Sequence, residues 1–348
     1  MPSQRCSSRL AARRLGILLA LFSVLASCTA PGARGVGGTP TRGALSVAFD
    51  NDSFNRFRDG NYSNGIALTW QSPEVRAYAE DSLVRRATET VADLFGTEED
   101  RRHLTLAAGH LIFTAENLRI ANPPEGAHPY AGILFVDTGL HVRDAGDAQG
   151  WTSVSLRLGV TGDASFAEDV QTELHSWFGS DDPQGWDTQL QDEGIVNLGI
   201  ERTRRFPLHE HVDWTASLAG AVGTYFTGAV ARTELRFGEL RADLGSSSMR
   251  LGLPTVPYVD DAPLSGWAGH AFLAAEGSGI AHFLPIDGGV VRSGRSAERE
   301  PWVGAASVGL QVAHGSALLR AGFTWMSDTY EAQFNDGEFG SISLTWFH

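Results

Sequence analysis

Apolar and polar residues alternate with a period of two along most of the chain that follows residue 43. In the segment from Trp151 to Val160, valines and leucines fill the even positions from 154 onward, whereas Ser153, Ser155 and Arg157 fill odd ones. The same alternation recurs after Val212 and near the C-terminus. Because successive side chains of a β-strand point to opposite faces, this pattern predicts strands with one apolar and one polar face.

The N-terminal residues 1–28 follow a different pattern, which is typical of an export signal. Several arginines precede an apolar run from Leu15 to Leu25, which is too short to span a membrane comfortably. The motif Leu25-Ala26-Ser27-Cys28 resembles a lipoprotein signal and makes Cys28 a candidate lipidation site, the alternative being ordinary cleavage nearby. Residues 29–43 are rich in Gly, Pro and Thr, and we predict a flexible tether there.

Two architectures fit these strands: a soluble sandwich with its apolar faces inward, and a transmembrane barrel with its apolar face toward lipid. Export, even strand spacing and polar groups on the opposite face favour the barrel. The final residues Trp346-Phe347-His348 also resemble the aromatic terminus of outer-membrane barrel proteins. We therefore predict an all-β fold: residues 44–348 form a transmembrane, antiparallel, up-and-down β-barrel of about 12 strands, with short helices in its loops.

Three connections between the first six strands carry polar clusters. In an up-and-down barrel, alternate connections share a rim, so the first, third and fifth connections should meet, which indicates an active site. The clearest strands lie near residues 44–50, 63–71, 103–113, 132–142, 151–160 and 195–203. The clusters are Asn51-Asp52 with Tyr62-Ser63-Asn64-Gly65, the stretch from Phe113 to Gly132, and Gln171 with His175.

Two connections contain predicted helices. The segment from Ala167 to Phe178 is a predicted short helix, and Gln171 and His175 would project from one face because they are four residues apart. The long connection 72–102 contains a predicted amphipathic helix that begins near Ser72-Pro73, with no assigned function. Its candidate apolar positions are Val75, Tyr78, Leu83, Val91 and Leu94.

His175 is the candidate general base. A neutral imidazole near pH 7 can take a proton from water, and the neighbouring amide of Gln171 can orient that water or the substrate. A lone histidine on a loop helix is more often an ordinary surface residue. The two other polar connections at the same rim favour the catalytic interpretation.

Oxygen-rich side chains flank the first connection. Asn51 and Asp52 end the first strand, and the segment from Asp59 to Gly65 opens the second. Carboxylate, amide and carbonyl oxygens suit a hard cation such as Ca²⁺, although ordinary turns use the same residue types. Strict alternation cannot point both Asn51 and Asp52 inward, so a strand end or a bulge is expected there.

Composition removes several classes of function. The formal net charge of −14 disfavours nucleic acid as a partner, because phosphate contacts need clustered basic residues. All 27 of the Lys and Arg positions are Arg. Once Cys6 leaves with the export signal, at most Cys28 remains, which excludes an intramolecular disulfide and thiolate metal sites.

Two other polar groups are interpreted as structural. His209 and His211 fall in a predicted periplasmic turn and should be exposed to solvent. Charged side chains on the inward faces of the strands should form a structural network. They are Arg157, Arg232, Glu234 and Arg236.

Taken together, the polar motifs resemble the outer-membrane lipid A 3′-O-deacylase family over most of the mature chain. The matching motifs are Asn51-Asp52, Asp59 through Gly65, Pro129-Tyr130-Ala131-Gly132, Gln171 with His175, and Gly185-Trp186-Asp187 through Gln189. The resemblance implies a barrel that hydrolyses an acyl ester of lipid A and requires Ca²⁺.

The resemblance also implies roles for individual residues. His175 would activate water, positioned with help from Gln171. The cation and oxyanion region would contain Asn51, Asp52 and Ser63, with Asp52 and Ser63 as metal ligands. The bound cation would polarise the ester carbonyl and stabilise the oxyanion. Tyr130 and Arg119 would contact the substrate.

The sequence departs from the family pattern at three places. No lysine follows the third strand, and Arg119 is the nearest substitute, although a guanidinium does not readily become neutral. Asp181 only approximately matches the acidic residue expected after the histidine. Ala127-His128 replaces the usual Asp-Arg before Pro-Tyr-Ala-Gly. These departures leave open an altered substrate or an inactive relative.

We therefore expect a membrane-embedded, monomeric carboxylic ester hydrolase of the bacterial outer membrane, with Ca²⁺ as cofactor and the lipid A of lipopolysaccharide as its partner. It would cleave the 3′-linked acyl ester of lipid A at the outer-leaflet rim. One alternative is an outer-membrane phospholipase, which would use similar carbonyl chemistry. The other is a non-catalytic barrel for adhesion or passive transport.

Overall fold

The structure is a computed structural model. It describes residues 42–52, 60–74, 86, 89, 101–143, 149–178, 180, 182–239, 266–335 and 337–348. The predicted export signal, Cys28 and nearly all of the predicted tether lie outside these residues. The predicted helix in 72–102 also lies largely outside them, including all five of its candidate apolar positions, although Arg86 and Glu89 are described and helical.

Twelve antiparallel strands form a closed barrel, in which each strand pairs with its sequence neighbours and the first pairs with the last. The predicted fold class is therefore confirmed. The strands are β1 (Ala44–Asn51), β2 (Asn61–Gln71), β3 (Arg101–Thr114), β4 (Ala131–Arg143), β5 (Gly150–Thr161), β6 (Glu193–His209), β7 (Val212–Gly223), β8 (Phe226–Gly238), β9 (Trp267–Phe283), β10 (Trp302–His314), β11 (Ala317–Met326) and β12 (Gly337–Phe347).

The two faces of the wall follow the predicted alternation. On β5, Leu158 is 49% exposed on the outside, whereas its neighbour Arg157 is buried in the lumen. On β6, Val196, Leu198 and Ile200 are likewise exposed on the outside. A closed barrel with an apolar outer band satisfies all of its backbone hydrogen bonds between strands, as lipid requires.

Aromatic rings close the lumen near the end of the barrel that carries the β1–β2 and β3–β4 connections, here called the upper end. Phe113 on β3 meets Phe283 on β9 with ring centroids 5.8 Å apart, and these strands lie on opposite sides of the barrel. Tyr62 on β2 packs against Phe339 on β12 at 5.1 Å. These residues belong to one buried apolar cluster to which the loops also contribute, here called the inner cluster. The lumen is therefore blocked at this level.

Below the inner cluster, the predicted charge network is present in the lumen. Arg236 pairs with Asp213 at 2.7 Å, and Arg157 pairs with Asp137 at 2.8 Å. Glu234 accepts from Arg320 at 2.7 Å and from Arg232 at 3.1 Å. Removing one partner from such a buried pair is strongly destabilising, so this network is structural.

The connections contain the helices. The helix α1 (Ala167–Phe178) confirms the predicted segment, and α2 (Leu284–Asp287) is a single turn. Short 3₁₀ segments occupy Gly162–Ser165 and Trp186–Thr188. The part of the chain that the structure describes contains no helix long and apolar enough to cross a membrane.

The six connections that include β1–β2, β3–β4 and β5–β6 lie at one rim of the barrel, here called the loop rim. The turn between β6 and β7 therefore lies at the opposite rim. His211 in this turn is exposed, as predicted.

Candidate active site

Helix α1 lies outside the barrel, against the upper part of β3 and β4. Ala167 packs with Ile112 in a second buried apolar cluster, here called the outer cluster. Its members are Ile112, Ala115, Leu118, Tyr130, Ala167 and Trp186. Residues adjacent to Ile112 on β3, namely Leu111 and Phe113, belong to the inner cluster instead. Alternation along β3 therefore places Ile112 and α1 on the lipid-facing side of the wall.

The close approach of α1 to the wall requires a glycine at position 132. A Cβ atom at Gly132 would lie 2.2 Å from both the Ala167 Cβ and the Ser165 Oγ. These distances are far below van der Waals contact, so any side chain there would force the start of α1 away from β4. The motif Pro129-Tyr130-Ala131-Gly132 thus has a packing reason to end in glycine.

Gln171 and His175 lie on the buried face of α1. Both side chains are buried, whereas Thr172, Glu173 and Ser176 are exposed. The helix therefore turns its polar pair toward the wall, one turn and two turns after Ala167. This confirms the predicted shared face of Gln171 and His175.

The Gln171 side chain is held by Trp186. The indole Nε1 of Trp186 donates to Gln171 Oε1 at 3.0 Å, and Tyr130 packs edge-on against the Trp186 ring at 5.0 Å. The amide nitrogen of Gln171 is buried and has no hydrogen-bond partner among the described residues. Its orientation is thus fixed from one side, and two N–H donors remain to meet a ligand.

The end of β1 meets a bulge in β2. The register shifts between Tyr62 and Asn64, which leaves Ser63 as the extra residue. Asn51 Nδ2 donates to the Ser63 carbonyl oxygen at 3.1 Å, and the hydroxyls of Ser63 and Thr114 lie 2.7 Å apart. Asn51 pairs with Asn64 across the strands. The strand end expected at Asn51 is present, because β1 ends there, and β2 contains a bulge as well.

Alternation along β1, together with the bulge in β2, determines on which side of the wall the site lies. Asp50 and Tyr62 point into the lumen, where the Tyr62 hydroxyl donates to Asp50 at 3.2 Å. Asn51 follows Asp50 and shares the outward face with Val47 and Phe49. The predicted inward arrangement is thus replaced by an outward one: the polar groups meet at the loop rim, but on its lipid-facing side.

The oxygen donors near Asp52 are compatible in chemistry with a hard cation. Asp52 is buried and its Oδ2 accepts from the Gly60 N–H at 2.7 Å, while Ser63 offers a hydroxyl and a carbonyl oxygen. Asp59 and Asp181 lie outside the described residues. Within the described ranges, no group of three or more His, Cys, Asp or Glu residues could hold a metal ion. From the described residues, a cation here would receive neutral oxygens as well as the carboxylate of Asp52.

The predicted substrate-contact residues are placed differently from each other. Tyr130 is fully buried in the outer cluster. Arg119 is exposed on the β3–β4 connection, where its backbone N–H donates to Asn117 Oδ1 at 3.1 Å. The neighbouring Leu118 carbonyl accepts from the Gln184 N–H at 2.8 Å. Tyr130 thus supports the buried pair, whereas Arg119 lies at the solvent edge.

His128, which departs from the family pattern, belongs to the inner side. Its ring stacks on Phe113 at 5.9 Å, and its Nδ1 donates to the Pro129 carbonyl at 2.7 Å. Burial lowers the pKa of His128 to about 4, so the ring is neutral at pH 7. It therefore cannot supply a positive charge to the site.

Two carboxylates attach the other rim loops. Glu116 accepts from the backbone N–H groups of Phe334 and Asn335 at 2.9 and 3.0 Å, and burial beside this carboxylate raises the pKa of Tyr330. Glu193 accepts from the N–H groups of residues 290–292 at 3.0 to 3.2 Å. Among the described residues, the β3–β4 connection is thus bonded to the β11–β12 connection, and the start of β6 to the β9–β10 connection.

An acidic cavity of ≈ 530 Å³ lies on the solvent side of Trp186. Its charged lining residues are Asp163, Glu168, Asp187, Asp192 and Arg292. Burial, followed by the nearby Asp169, Asp187 and Asp163, raises the pKa of Glu168. Concentrated negative charge repels phosphate, so this cavity is unsuited to an anionic headgroup.

Two buried residues of the outer wall, Asn64 and His110, were not among the predicted site residues. Asn64 was noted as part of a motif but given no role, and alternation across an unrecognised bulge obscured its direction. His110 had a usable signal, because the even positions from 104 to 112 of β3 are otherwise apolar. Both lie beside Ile112 on the outward face.

Comparison with solved structures found chains that are similar to this barrel to different degrees. LpxR from Salmonella typhimurium superposes with a TM-score of 0.70 at 13% identity, covering 88% of this chain and 100% of that chain. The β-domain of the Bordetella autotransporter BrkA gives 0.43 at 12% identity, covering 88% and 99%.

Sequence comparison identifies the family. Among curated proteins, none matches the sequence. The model of the family described as outer membrane protein LpxR matches residues 17–348. The chain therefore belongs to the LpxR family of outer membrane proteins, and it is a barrel of the bacterial outer membrane.

Proposed function

We propose that the protein is a lipid A deacylase that hydrolyses the 3′-linked acyl ester, with His175 as the general base. The observation that carries this proposal is the position of α1, which holds Gln171 and His175 buried against the lipid-facing side of the wall. In the proposed orientation the loop rim faces the outer leaflet, so that esters of its lipids would reach this level. Membership of the LpxR family favours lipid A among those lipids.

The proposed reaction is a hydrolysis by water. His175 takes a proton from water as the water oxygen attacks the ester carbonyl carbon. The bond between that carbon and the sugar oxygen then breaks, and the imidazolium returns the proton to the leaving oxygen. The products are a free carboxylic acid and a sugar hydroxyl. Gln171, fixed by Trp186, orients the water or the carbonyl with its N–H donors.

The β1–β2 group is proposed to stabilise the negative charge that develops on the carbonyl oxygen. Asn51 positions the Ser63 carbonyl through its hydrogen bond, and Asp52 and Ser63 are the proposed ligands of Ca²⁺. When bound, Ca²⁺ would supply Lewis-acid stabilisation of the oxyanion. The site lies between protein and lipid, where such electrostatic effects are stronger than in water.

Substrate binding is proposed to use the rim. Arg119 is exposed on the β3–β4 connection and can pair with a lipid A phosphate through two parallel hydrogen bonds. Tyr130 acts indirectly, because it packs on Trp186, which in turn holds Gln171. Arg119 would thus perform the phosphate-binding part of the role that the family assigns to a lysine, but not the part that requires a neutral amine.

The test is mass spectrometry of lipid A incubated with the detergent-refolded protein, with Ca²⁺ or with a chelator. We expect Ca²⁺-dependent loss of an acyl or acyloxyacyl group from lipid A. His175→Ala should lower the rate by about 100-fold or more, because a positioned general base contributes 10²–10⁴-fold. The matched control is Thr172→Ala on the exposed face of α1, which should keep the rate.

Other results would redirect the proposal. Deacylation that survives His175→Ala in a folded barrel would rule out this general base. Cleavage of glycerophospholipid with no change in lipid A would indicate the phospholipase. Inertness toward both lipids would favour the non-catalytic barrel and make the missing lysine the leading explanation.

A further inference from the structure

His110 lies in a row of otherwise apolar side chains on the lipid-facing surface. The strand registers place Phe49, Ile66, His110 and Leu134 side by side on β1 to β4. His110 is nevertheless 6% exposed, because the segment before α1 covers it. A buried polar group in apolar surroundings is costly unless it is hydrogen-bonded. Each of the two ring nitrogens of His110 is therefore expected to have a hydrogen-bond partner.

One ring nitrogen has a partner in the protein. His110 Nε2 lies 3.1 Å from the carbonyl oxygen of Ser165, just before α1. A carbonyl oxygen can only accept, so Nε2 carries the hydrogen and donates. In a neutral ring, Nδ1 is then an acceptor. This Nδ1 atom is buried and has no hydrogen-bond partner among the described residues.

Two donors without partners flank the same part of the wall. Asn64 Nδ2 is buried and lacks a partner within the described ranges, as does Gln171 Nε2. Asn64 pairs with Ile112 across the strands, and Gln171 bonds to Trp186. Ile112 and Trp186 both belong to the outer cluster. Two amide donors and one imidazole acceptor therefore lie where α1 and the segment before it pack on the outward face of the wall.

This set of groups is complementary to a particular ligand chemistry. The amide donors suit an ester carbonyl oxygen, which can only accept. The imidazole Nδ1 suits a hydroxyl or an amide N–H, which can donate. An ester of an N-acylated sugar, or of a hydroxyacyl chain, carries both features close together. The acyl esters of a glycerophospholipid have no such donor next to them.

We propose that His110 is a specificity-determining residue, whose Nδ1 accepts a hydrogen bond from a hydroxyl or an amide N–H beside the scissile ester. Asn64 and Gln171 donate to the carbonyl of that ester. This inference rests on the proposed function and adds to it the feature by which the site selects its substrate. An ester without the donor would leave the acceptor buried and unpaired, which disfavours its transition state by about 10- to 100-fold.

The experiment compares matched synthetic substrates, each a monosaccharide that bears a 3-O-acyl ester and a second acyl group at the neighbouring position. One pair differs only in a hydroxyl on the acyl chain. The second pair differs only at the neighbouring sugar position, where the acyl group is attached through nitrogen or through oxygen. We expect kcat/KM to favour the donor-bearing member of one pair by about 10- to 100-fold. The pair that shows the preference identifies the donor.

Substitutions at His110 then assign the preference. His110→Leu should reduce it to about threefold or less, because the acceptor is gone. His110→Gln keeps an acceptor oxygen and should restore most of it. Val136→Leu, on the same wall but one row farther from the rim, is the matched control and should leave the preference unchanged. If His110→Leu slows both members of a pair equally, His110 only anchors Ser165 and the specificity role is wrong.

Binding to the His175→Ala protein separates this inference from the proposed function. Affinity for the same lipids in detergent micelles can be followed by tryptophan fluorescence without any hydrolysis. A donor-dependent affinity that His110→Leu removes would support recognition even if the wild type cleaves none of these esters. Equal affinity for both members of each pair would overturn the inference. Active deacylation without preference would overturn it while leaving the proposed function intact.

Discussion

Inside the barrel, buried charges are matched with each other, whereas on the outer wall buried polar groups are only partly matched. Asp213 accepts two hydrogen bonds of 2.7 Å from Arg236 and is also paired with Arg205. Across the wall, Gln171 has a partner for its oxygen but none for its nitrogen among the described residues, and His110 has a partner for one of its two ring nitrogens.

The difference separates residues that stabilise the barrel from residues kept for a ligand. A buried charge without its partner costs several kcal/mol, so the lumen network is intolerant of change but has no need of a substrate. A buried amide nitrogen without a partner costs about 1–3 kcal/mol, and this cost persists on the outer wall, beside a general-base candidate. Substitutions in the lumen should therefore mainly lower stability, whereas substitutions on the outer wall should mainly lower activity.

The largest expected effect is on the inner side. Asp213→Asn should lower the free energy of unfolding by about 3–5 kcal/mol, because Arg236 and Arg205 lose their counter-charge in a buried position. Activity per folded molecule should not change. Urea unfolding in detergent micelles measures the first quantity. Glu210→Gln, in the exposed turn nearby, is the control and should have no effect on stability. A mild effect of Asp213→Asn would mean that water reaches the pair.

The second largest effect is a loss of stability at low pH, caused by His128, which is neutral because it is buried. The pKa of His128 is about 4 in the folded protein, against an ordinary value of 6.5. Below pH 6.5 the unfolded chain takes up a proton that the folded protein does not, so stability falls as the pH drops toward 4. At pH 5 the loss attributable to His128 is about 2 kcal/mol.

This pH dependence can be isolated by comparing variants. Unfolding midpoints at pH 7 and pH 5 should differ less in His128→Gln than in the wild type. The exposed His209 at the opposite rim provides the matched control, since His209→Gln should keep the wild-type difference. An unchanged pH dependence in His128→Gln would show that other groups control acid stability.

The smallest expected effect lies on the outer wall, where a substitution should lower activity more than stability. Gln171→Leu should lower the deacylation rate by about tenfold, the value of one positioning hydrogen bond, while stability changes by about 1 kcal/mol or less. Removing an amide whose nitrogen has no partner costs little, although Trp186 loses its acceptor. A parallel loss of stability and activity would contradict the distinction between the two sides.

Much of the fold followed from local patterns. Alternation with a period of two fixes which residues of β5 and β6 share a face, and the lumen charges of Arg157 and Arg236 follow directly from it. The spacing of Ala167 to Phe178 defines α1 to its end residues. Order along the chain also fixes the common rim, because an up-and-down barrel places alternate connections together.

The side of the wall was decided by tertiary structure. Alternation assigns residues to two faces, but it does not show that a bulge at Ser63 turns the Asn64 side chain outward. It also does not show that α1 packs on the outside of β3. Asn51 was therefore expected to turn inward, whereas it shares the outward face of β1. The residues of the candidate site were identified from the sequence and its resemblance, but their lipid-facing location was not.

The sequence by itself determined the strands, their apolar faces, the charged lumen and the helix that bears Gln171 and His175, because each depends on periodicity within a short segment. Only the tertiary structure decided that Phe113 and Phe283 meet across the lumen, that Gly132 admits α1 against the wall, and that Trp186 holds Gln171. These contacts join residues far apart in sequence, and their geometry depends on barrel closure and packing, which no local pattern encodes.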